Sequence, residues 1–198
     1  MNIAYTLPAT ATVKGVDINA QKSITCSTTG EAMNLYHKAA ERLLYVSRWN
    51  ELTDEDDTFN LLDNRGHSKY GSVTKGDYIQ VKRRHAQLTG SNAYDYWLIE
   101  KILQIKTETR ESTAFRVRYR SNPSAKTQVY FQTSNTNTLI VERHGHTVRV
   151  NFHPHREAQH EADNTSQSPV HQVLLLITTW LGLTANKWNA LANGLLFD

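Results

Sequence analysis

Histidines are concentrated in one short segment of the chain, residues 153–161, which reads HPHREAQHE. In an extended strand, His153 and His155 present both imidazoles on the same face, and His160 or Glu157 can supply a third ligand. Zinc takes three or four such donors in a tetrahedral arrangement. The segment therefore suggests a zinc site of His153, His155 and His160, and with it a metal-dependent enzyme. The alternative is a hydrophilic loop, because Pro154 interrupts strand geometry and the spacing matches no known metal signature.

Arginines at alternating positions form a second candidate site. In the segment 115–120, which reads FRVRYR, a period of two places Arg116, Arg118 and Arg120 on one face of a strand and the aromatic and aliphatic residues on the other. Arg149 lies between two valines and is placed opposite an apolar face in the same way. Guanidinium groups on a sheet face can hold phosphate or carboxylate groups. We therefore expect this face to bind an anionic small molecule or a protein partner.

The arginine face has two other interpretations. Proteins that read RNA on a sheet face carry aromatic and basic side chains on the same face, so that bases stack there. Here the aromatic residues fall opposite the arginines, which argues against RNA. Without a ligand, the arginines would form a solvated face and pair with Glu100 or Glu142.

The C-terminal segment raises the question of DNA binding. Residues 181–184, LGLT, precede a second predicted helix and are similar to the turn of bacterial helix-turn-helix units. A recognition helix presents polar and basic side chains to the major groove, and this one offers only Lys187 as a cation. We expect a buried αα-hairpin and no DNA binding.

Composition limits the class of protein. The chain has 198 residues, 39% of them apolar, which suits a single domain over 1–198 with residues 1–29 as a loosely attached arm. The formal net charge is only +3, and the single cysteine, Cys26, cannot form an internal disulfide. We find neither a secretory signal nor an apolar run long enough to cross a membrane. These features predict a cytoplasmic protein with no membrane association and, zinc apart, no cofactor.

Hydrophobic periodicity predicts the elements that must position these residues. Apolar residues recur at helical spacing over 30–44, with Thr28 or Thr29 as the N-cap. The period changes to two from residue 58 to residue 152. Segment 94–106 is apolar on both faces for half its length, as in a central strand covered on each side. Capping residues predict two C-terminal helices, 170–181 and 185–193, with Gly194 ending the second. Predicted strands include 59–62, 78–82, 94–106, 114–120, 129–131, 138–143 and 147–152, and the arm offers two further short candidates, 13–18 and 23–27.

The predicted fold is α+β. It consists of an antiparallel meander or partly closed, barrel-like sheet of about six strands, with an N-terminal helix and a C-terminal αα-hairpin packed on it. This order of elements is similar to that of the helix-grip (START-like) superfamily, and the resemblance implies a carrier of apolar ligands between sheet and helix. From the residues themselves, the function we predict is a non-catalytic binding module. The metal-dependent enzyme and the apolar carrier are the alternatives.

Overall fold

The computed structural model describes residues 20–53, 59–82, 94–125, 135–156 and 185–197. The strands are β1 (Ala20–Thr25), β2 (Phe59–Leu62), β3 (Tyr78–Lys82), β4 (Tyr94–Lys106), β5 (Arg110–Arg120), β6 (Asn135–His144) and β7 (Thr147–Arg156). The helices are α1 (Thr29–Leu44), a 3₁₀ helix (Val46–Arg48), α2 (Trp49–Leu52) and α3 (Ala185–Leu196). None of these helices has both the length and the hydropathy needed to span a bilayer.

The strands form one antiparallel sheet in the order β1-β7-β6-β5-β4-β3-β2, curled into a half-barrel. This confirms the predicted meander, with seven strands in the described residues where about six were expected. The seven strands include β1, which overlaps the short candidate strand 23–27 of the predicted arm and pairs with β7 along its whole length. The predicted strand 129–131 lies outside the described residues.

Helix α1 begins one residue before the predicted range 30–44, directly after the predicted cap Thr28, because its first turn is closed by a capping box. The backbone N–H of Glu31 donates to Oγ1 of Thr28 over 3.2 Å, and the Glu31 carboxylate accepts from the backbone N–H of Thr28 over 3.2 Å. One apolar stripe of the helix is buried against the sheet. Its buried residues are Ala32, Tyr36, Ala39, Ala40 and Leu43.

The described helices lie on one face of the sheet, here called the inner face, and the opposite face is here called the outer face. Aromatic side chains fill the space between the inner face and the helices. The Trp49 ring lies 5.4 Å from the Phe59 ring and 6.2 Å from the Phe115 ring, and Phe152 contacts Trp188 of α3 at 4.3 Å between centroids. All five side chains are nearly or fully buried, so they hold α2 and α3 against the sheet.

Helix α3 corresponds to the second helix of the predicted hairpin, and the first, 170–181, lies outside the described residues. The prediction that Gly194 ends this helix is wrong, because the helix continues to Leu196. Gly194 lies against α2, and a Cβ atom built on it would be 2.5 Å from the carbonyl oxygen of Leu52. The glycine is therefore required for close packing of two helices.

The prediction that β4 is covered on both faces is also wrong. The pairing of β4 with β5 shifts register between Ile99 and Lys101, where Glu100 forms a β-bulge. Beyond the bulge, Leu103 and Ile105 lie on the outer face and are 42% and 43% exposed. The apolar residues on the second face of this strand are therefore available at the surface.

Candidate functional site

The predicted arginines share the outer face of the sheet. The register places Arg116 opposite Lys101 of β4, Arg118 opposite Leu98 and Arg120 opposite Tyr96. Arg149 of β7 lies on the same face, opposite Glu142 of β6. Strand β5 is longer than the sequence predicts, because it begins at residue 110, and this adds another arginine to the face.

The first ion cluster on this face, here the Glu100 cluster, consists of Glu100, Arg116 and Arg118. Nε of Arg116 lies 3.2 Å from Oε2 of Glu100, while Arg118 donates to both carboxylate oxygens. Arg116 is 46% exposed and Arg118 only 16% exposed. The β-bulge aims the carboxylate at both guanidinium groups, because the extra residue leaves the strand pairing and turns its side chain. The predicted pairing with Glu100 is thus confirmed.

The second ion cluster, here the Glu142 cluster, is built from β5, β6 and β7. Arg110 Nη2 lies 3.4 Å from Oε2 of Glu142, and Arg149 Nη1 lies 3.7 Å from Oε1. Asn151 donates to Oε1 over 3.2 Å and holds the carboxylate in place. The buried Nε atom of Arg149 has no hydrogen-bond partner in the described part of the chain. The predicted pairing with Glu142 is confirmed, and Arg110 is a member of the cluster that sequence reasoning missed.

An open depression of about 420 Å³ lies over the Glu142 cluster. It is lined by Arg110, Glu142, His144, Thr147 and Arg149. The lining thus combines guanidinium groups, an imidazole and a hydroxyl, which can all donate hydrogen bonds. An oxyanion entering this depression would meet several donors at once.

The outer face is strongly cationic for a chain of nearly balanced charge. Among the described residues of β4 to β7, it carries Lys101, Arg110, Arg116, Arg118, Arg120 and Arg149 against the carboxylates of Glu100 and Glu142. The six cations and two carboxylates give this face a formal charge of +4, while the whole chain carries +3. Positive charge is therefore in excess on this part of the outer face.

Arg120 lies apart from both clusters, near the end of β5. Its Nη1 atom donates to the carbonyl oxygen of Tyr119 over 3.4 Å. It therefore contributes to the charge of the face without belonging to the Glu100 cluster or the Glu142 cluster.

The predicted metal ligands are only partly within the described structure. His153 lies on β7 opposite Thr138 and is half-buried, and burial lowers its pKa. His155 follows two residues later, opposite Thr136, while His160 lies outside the described residues. Within the described ranges, no three His, Cys, Asp or Glu side chains are grouped so that they could hold a metal ion. The zinc site of His153, His155 and His160 thus stays a prediction.

A buried ion pair on the inner face was not predicted from the sequence. Nε of Arg143 donates to Oε2 of Glu111 over 2.9 Å, and the two side chains are 1% and 2% exposed. Lys106 Nζ lies 3.4 Å from the other carboxylate oxygen, and His37 Nε2 lies 3.9 Å from it. Burial opposes ionisation, but hydrogen bonds from Arg143 and Lys106 outweigh it and hold the pKa of Glu111 below its usual range. Both residues fall on inward-facing positions of their strands, and that parity is the signal that could have revealed them.

The outer face therefore presents two ion clusters, each with two arginines around one carboxylate, and an open depression over one of them. The inner face is filled by the aromatic core. No protein-family model matches this sequence, and no curated protein matches it either.

Proposed function

We propose that this protein is a non-catalytic binding module that holds an acidic segment of a protein partner against its outer face. One observation carries the proposal: on the described part of this face, each of two carboxylates is shared by two arginines, which leaves a positive surplus at both clusters. A partner that supplies the missing negative charge would be attracted and held there.

The existing ion pairs orient the arginine side chains and still leave a net positive charge at each cluster. Arg116, Arg110 and Arg149 are each more than two-fifths exposed. Exposed pairs of this kind contribute only about 0–1 kcal/mol to stability. The shared carboxylates nevertheless restrict the rotamers of the guanidinium groups. Less conformational entropy is then lost when a ligand binds, which favours binding.

The shape of the face favours a protein over a small molecule. The depression over the Glu142 cluster is open, whereas small-molecule sites are concave and enclose most of the ligand. The cations extend from Lys101 on β4 to Arg149 on β7, across four neighbouring strands. A broad surface that is rich in arginine suits an extended protein segment, because arginine is enriched at protein interfaces.

The experiment is a titration of the full chain with a hexaglutamate peptide at low salt, followed by calorimetry and by amide chemical shifts. We expect binding that weakens as salt is raised from about 50 to about 200 mM, because screening increases with ionic strength. Shifts should concentrate on the outer positions of β5 and β7. A hexalysine peptide of the same length is the control for charge.

Charge variants distinguish binding at the outer face from non-specific electrostatic attraction to the protein. Arg116→Glu/Arg149→Glu should weaken hexaglutamate binding at least about tenfold, because each reversal replaces attraction by repulsion at one cluster. Lys38→Glu makes the same type of charge change on the exposed side of α1 and should leave the affinity nearly unchanged. Arg116→Gln/Arg149→Gln tests the same point without placing two carboxylates together. Equal affinity of wild type and both double variants would refute the proposal.

A further inference from the structure

An apolar strip lies between the two ion clusters on the outer face. Leu103 is paired with Ala114 and Ile105 with Ser112, while Ile140 of β6 flanks Ala114 on the other side. Ala114, Ser112 and Ile140 are less than a tenth exposed and form the floor of the strip. Leu103 and Ile105 stand above the small side chains of Ala114 and Ser112 and remain more than two-fifths exposed. The outer face thus has two exposed aliphatic side chains next to a shallow region of small side chains.

The ion clusters close both ends of this strip. Along β5, Arg116 follows Ala114 by two residues on the same face, and Arg110 precedes Ser112 by two residues. Arg110 belongs to the Glu142 cluster and Arg116 to the Glu100 cluster. The two arginines are six residues apart on one strand, which corresponds to about 20 Å at the rise of an extended chain. An apolar centre with charged ends is the usual anatomy of a protein interface.

From this arrangement we infer the chemistry of the partner segment. It carries apolar side chains at its centre, which cover Leu103 and Ile105, and carboxylates at both ends, about 20 Å apart, which meet the two clusters. The inference rests on the proposed function of the outer face and adds the partner's pattern of acidic, apolar and acidic residues. Charge complementarity at both ends and the exposed aliphatic side chains between them carry it.

Two other anionic macromolecules fit the strip less well. A nucleic acid strand supplies phosphates at every nucleotide but no aliphatic side chains. Its bases would need aromatic platforms, and the described residues that form the strip are all non-aromatic. An anionic lipid surface supplies apolar chains and charge without a fixed spacing between its charges. The paired clusters at a set distance favour the protein segment, and the lipid surface becomes an arm of the test.

The test compares peptides on the full chain. The first has two leucines at its centre and two glutamates at each end, with the end pairs about 20 Å apart when extended. The second has serines in place of the leucines, and the third brings the acidic pairs to about 7 Å apart. We expect the first to bind wild type at least about tenfold more tightly than either of the others. The serine peptide cannot cover the exposed parts of Leu103 and Ile105 with apolar side chains, and that contact is worth at least about this factor. The third peptide cannot place carboxylates at both clusters at once.

Variants of the protein test which side chains account for the higher affinity of the leucine peptide. Leu103→Ser/Ile105→Ser should abolish the advantage of the leucine peptide and leave binding of the serine peptide unchanged. Phe197→Ser removes an exposed apolar side chain at the end of α3, on the helix side of the sheet, and should leave the advantage intact. Thermal unfolding of each variant checks that the fold is kept.

The outcomes separate this inference from the proposed function. If leucine and serine peptides bind equally and with the same dependence on the arginines, the partner pattern is wrong while anion binding stands. If no acidic peptide binds, both fail. Binding to phosphatidylserine vesicles without binding to any peptide would overturn the inference in favour of a lipid surface.

Discussion

Replacing Arg143 by methionine should lower the free energy of unfolding by about 3 kcal/mol, because it leaves a carboxylate buried without its main partner. The guanidinium group donates to Glu111 over 2.9 Å, to the carbonyl oxygen of Gly145 over 3.0 Å and to that of Glu108 over 3.3 Å. Breaking one side of a buried ion pair costs about 3–5 kcal/mol. Lys106 still faces the carboxylate at 3.4 Å, which places the expected loss at the lower end of that range.

The same substitution should change the pH dependence of stability, with a sign set by the Glu111 carboxyl. In the wild type its pKa lies below the usual value of about 4.5, so the ionised pair contributes stability above that pH and loses it as pH falls through the folded-state pKa. Without Arg143 the pKa of Glu111 rises, because burial is then less opposed. Protonation of Glu111 removes the unpaired buried charge in the variant. The loss in free energy of unfolding relative to the wild type should therefore shrink as the pH is lowered from 7 towards 5.

Urea denaturation followed by circular dichroism measures both effects, at pH 7 and at pH 5. Arg110→Met is the matched control, since Arg110 is paired over 3.4 Å on the exposed face. That change should cost less than about 1 kcal/mol. A loss below about 1 kcal/mol for Arg143→Met at pH 7 would show that the buried pair does not stabilise this end of the sheet. A deficit that is the same at both pH values would refute the assignment to the Glu111 charge.

Two further predictions concern a close helix contact and a histidine. Gly194→Ala should destabilise the protein by about 1–3 kcal/mol, because the new Cβ meets the backbone of Leu52. The same change in an unobstructed helix stabilises by about 0.5–1 kcal/mol. A raised urea midpoint for this variant would contradict the packing argument. Burial lowers the pKa of His153, so the neutral side chain contributes stability above pH 6.5 that is lost as pH falls below it. The urea midpoint of His153→Gln should therefore fall less between pH 8 and pH 5.5 than that of the wild type, and an equal fall would contradict it.

Local signals were sufficient to predict much of the fold. The bounds of β3 and β4 agree with the predicted 78–82 and 94–106. Alternation predicts the first strand and a long apolar segment predicts the second, and both signals are local. Helix α1 begins one residue before its predicted start, because the Thr28 cap is read from neighbouring residues. These features need no knowledge of the rest of the chain.

Long-range pairing set the limits of prediction. The first four residues of β5, Arg110 to Thr113, include two charged residues and carry no apolar alternation. They nevertheless pair with β6, where Glu111 accepts a hydrogen bond from Arg143, a partner 32 residues away. The bulge at Glu100 likewise depends on the register between two strands, which the pattern of one strand does not specify. The candidate arginines could thus be named from the sequence, but their carboxylate partners could be offered only as alternatives.

The position of β1 beside β7 has a consequence for how the chain folds. The hairpins β4–β5 and β6–β7 close through short turns, whereas the side chains of Thr25 and Thr147, which join β1 to β7, are 122 residues apart. Bringing such distant segments together costs loop entropy that the local hairpins do not have to overcome. We therefore expect amide protection to appear first in β4 to β7 during refolding and last in β1. The pairing of β1 with β7, which completes one edge of the sheet, is then the last step of folding.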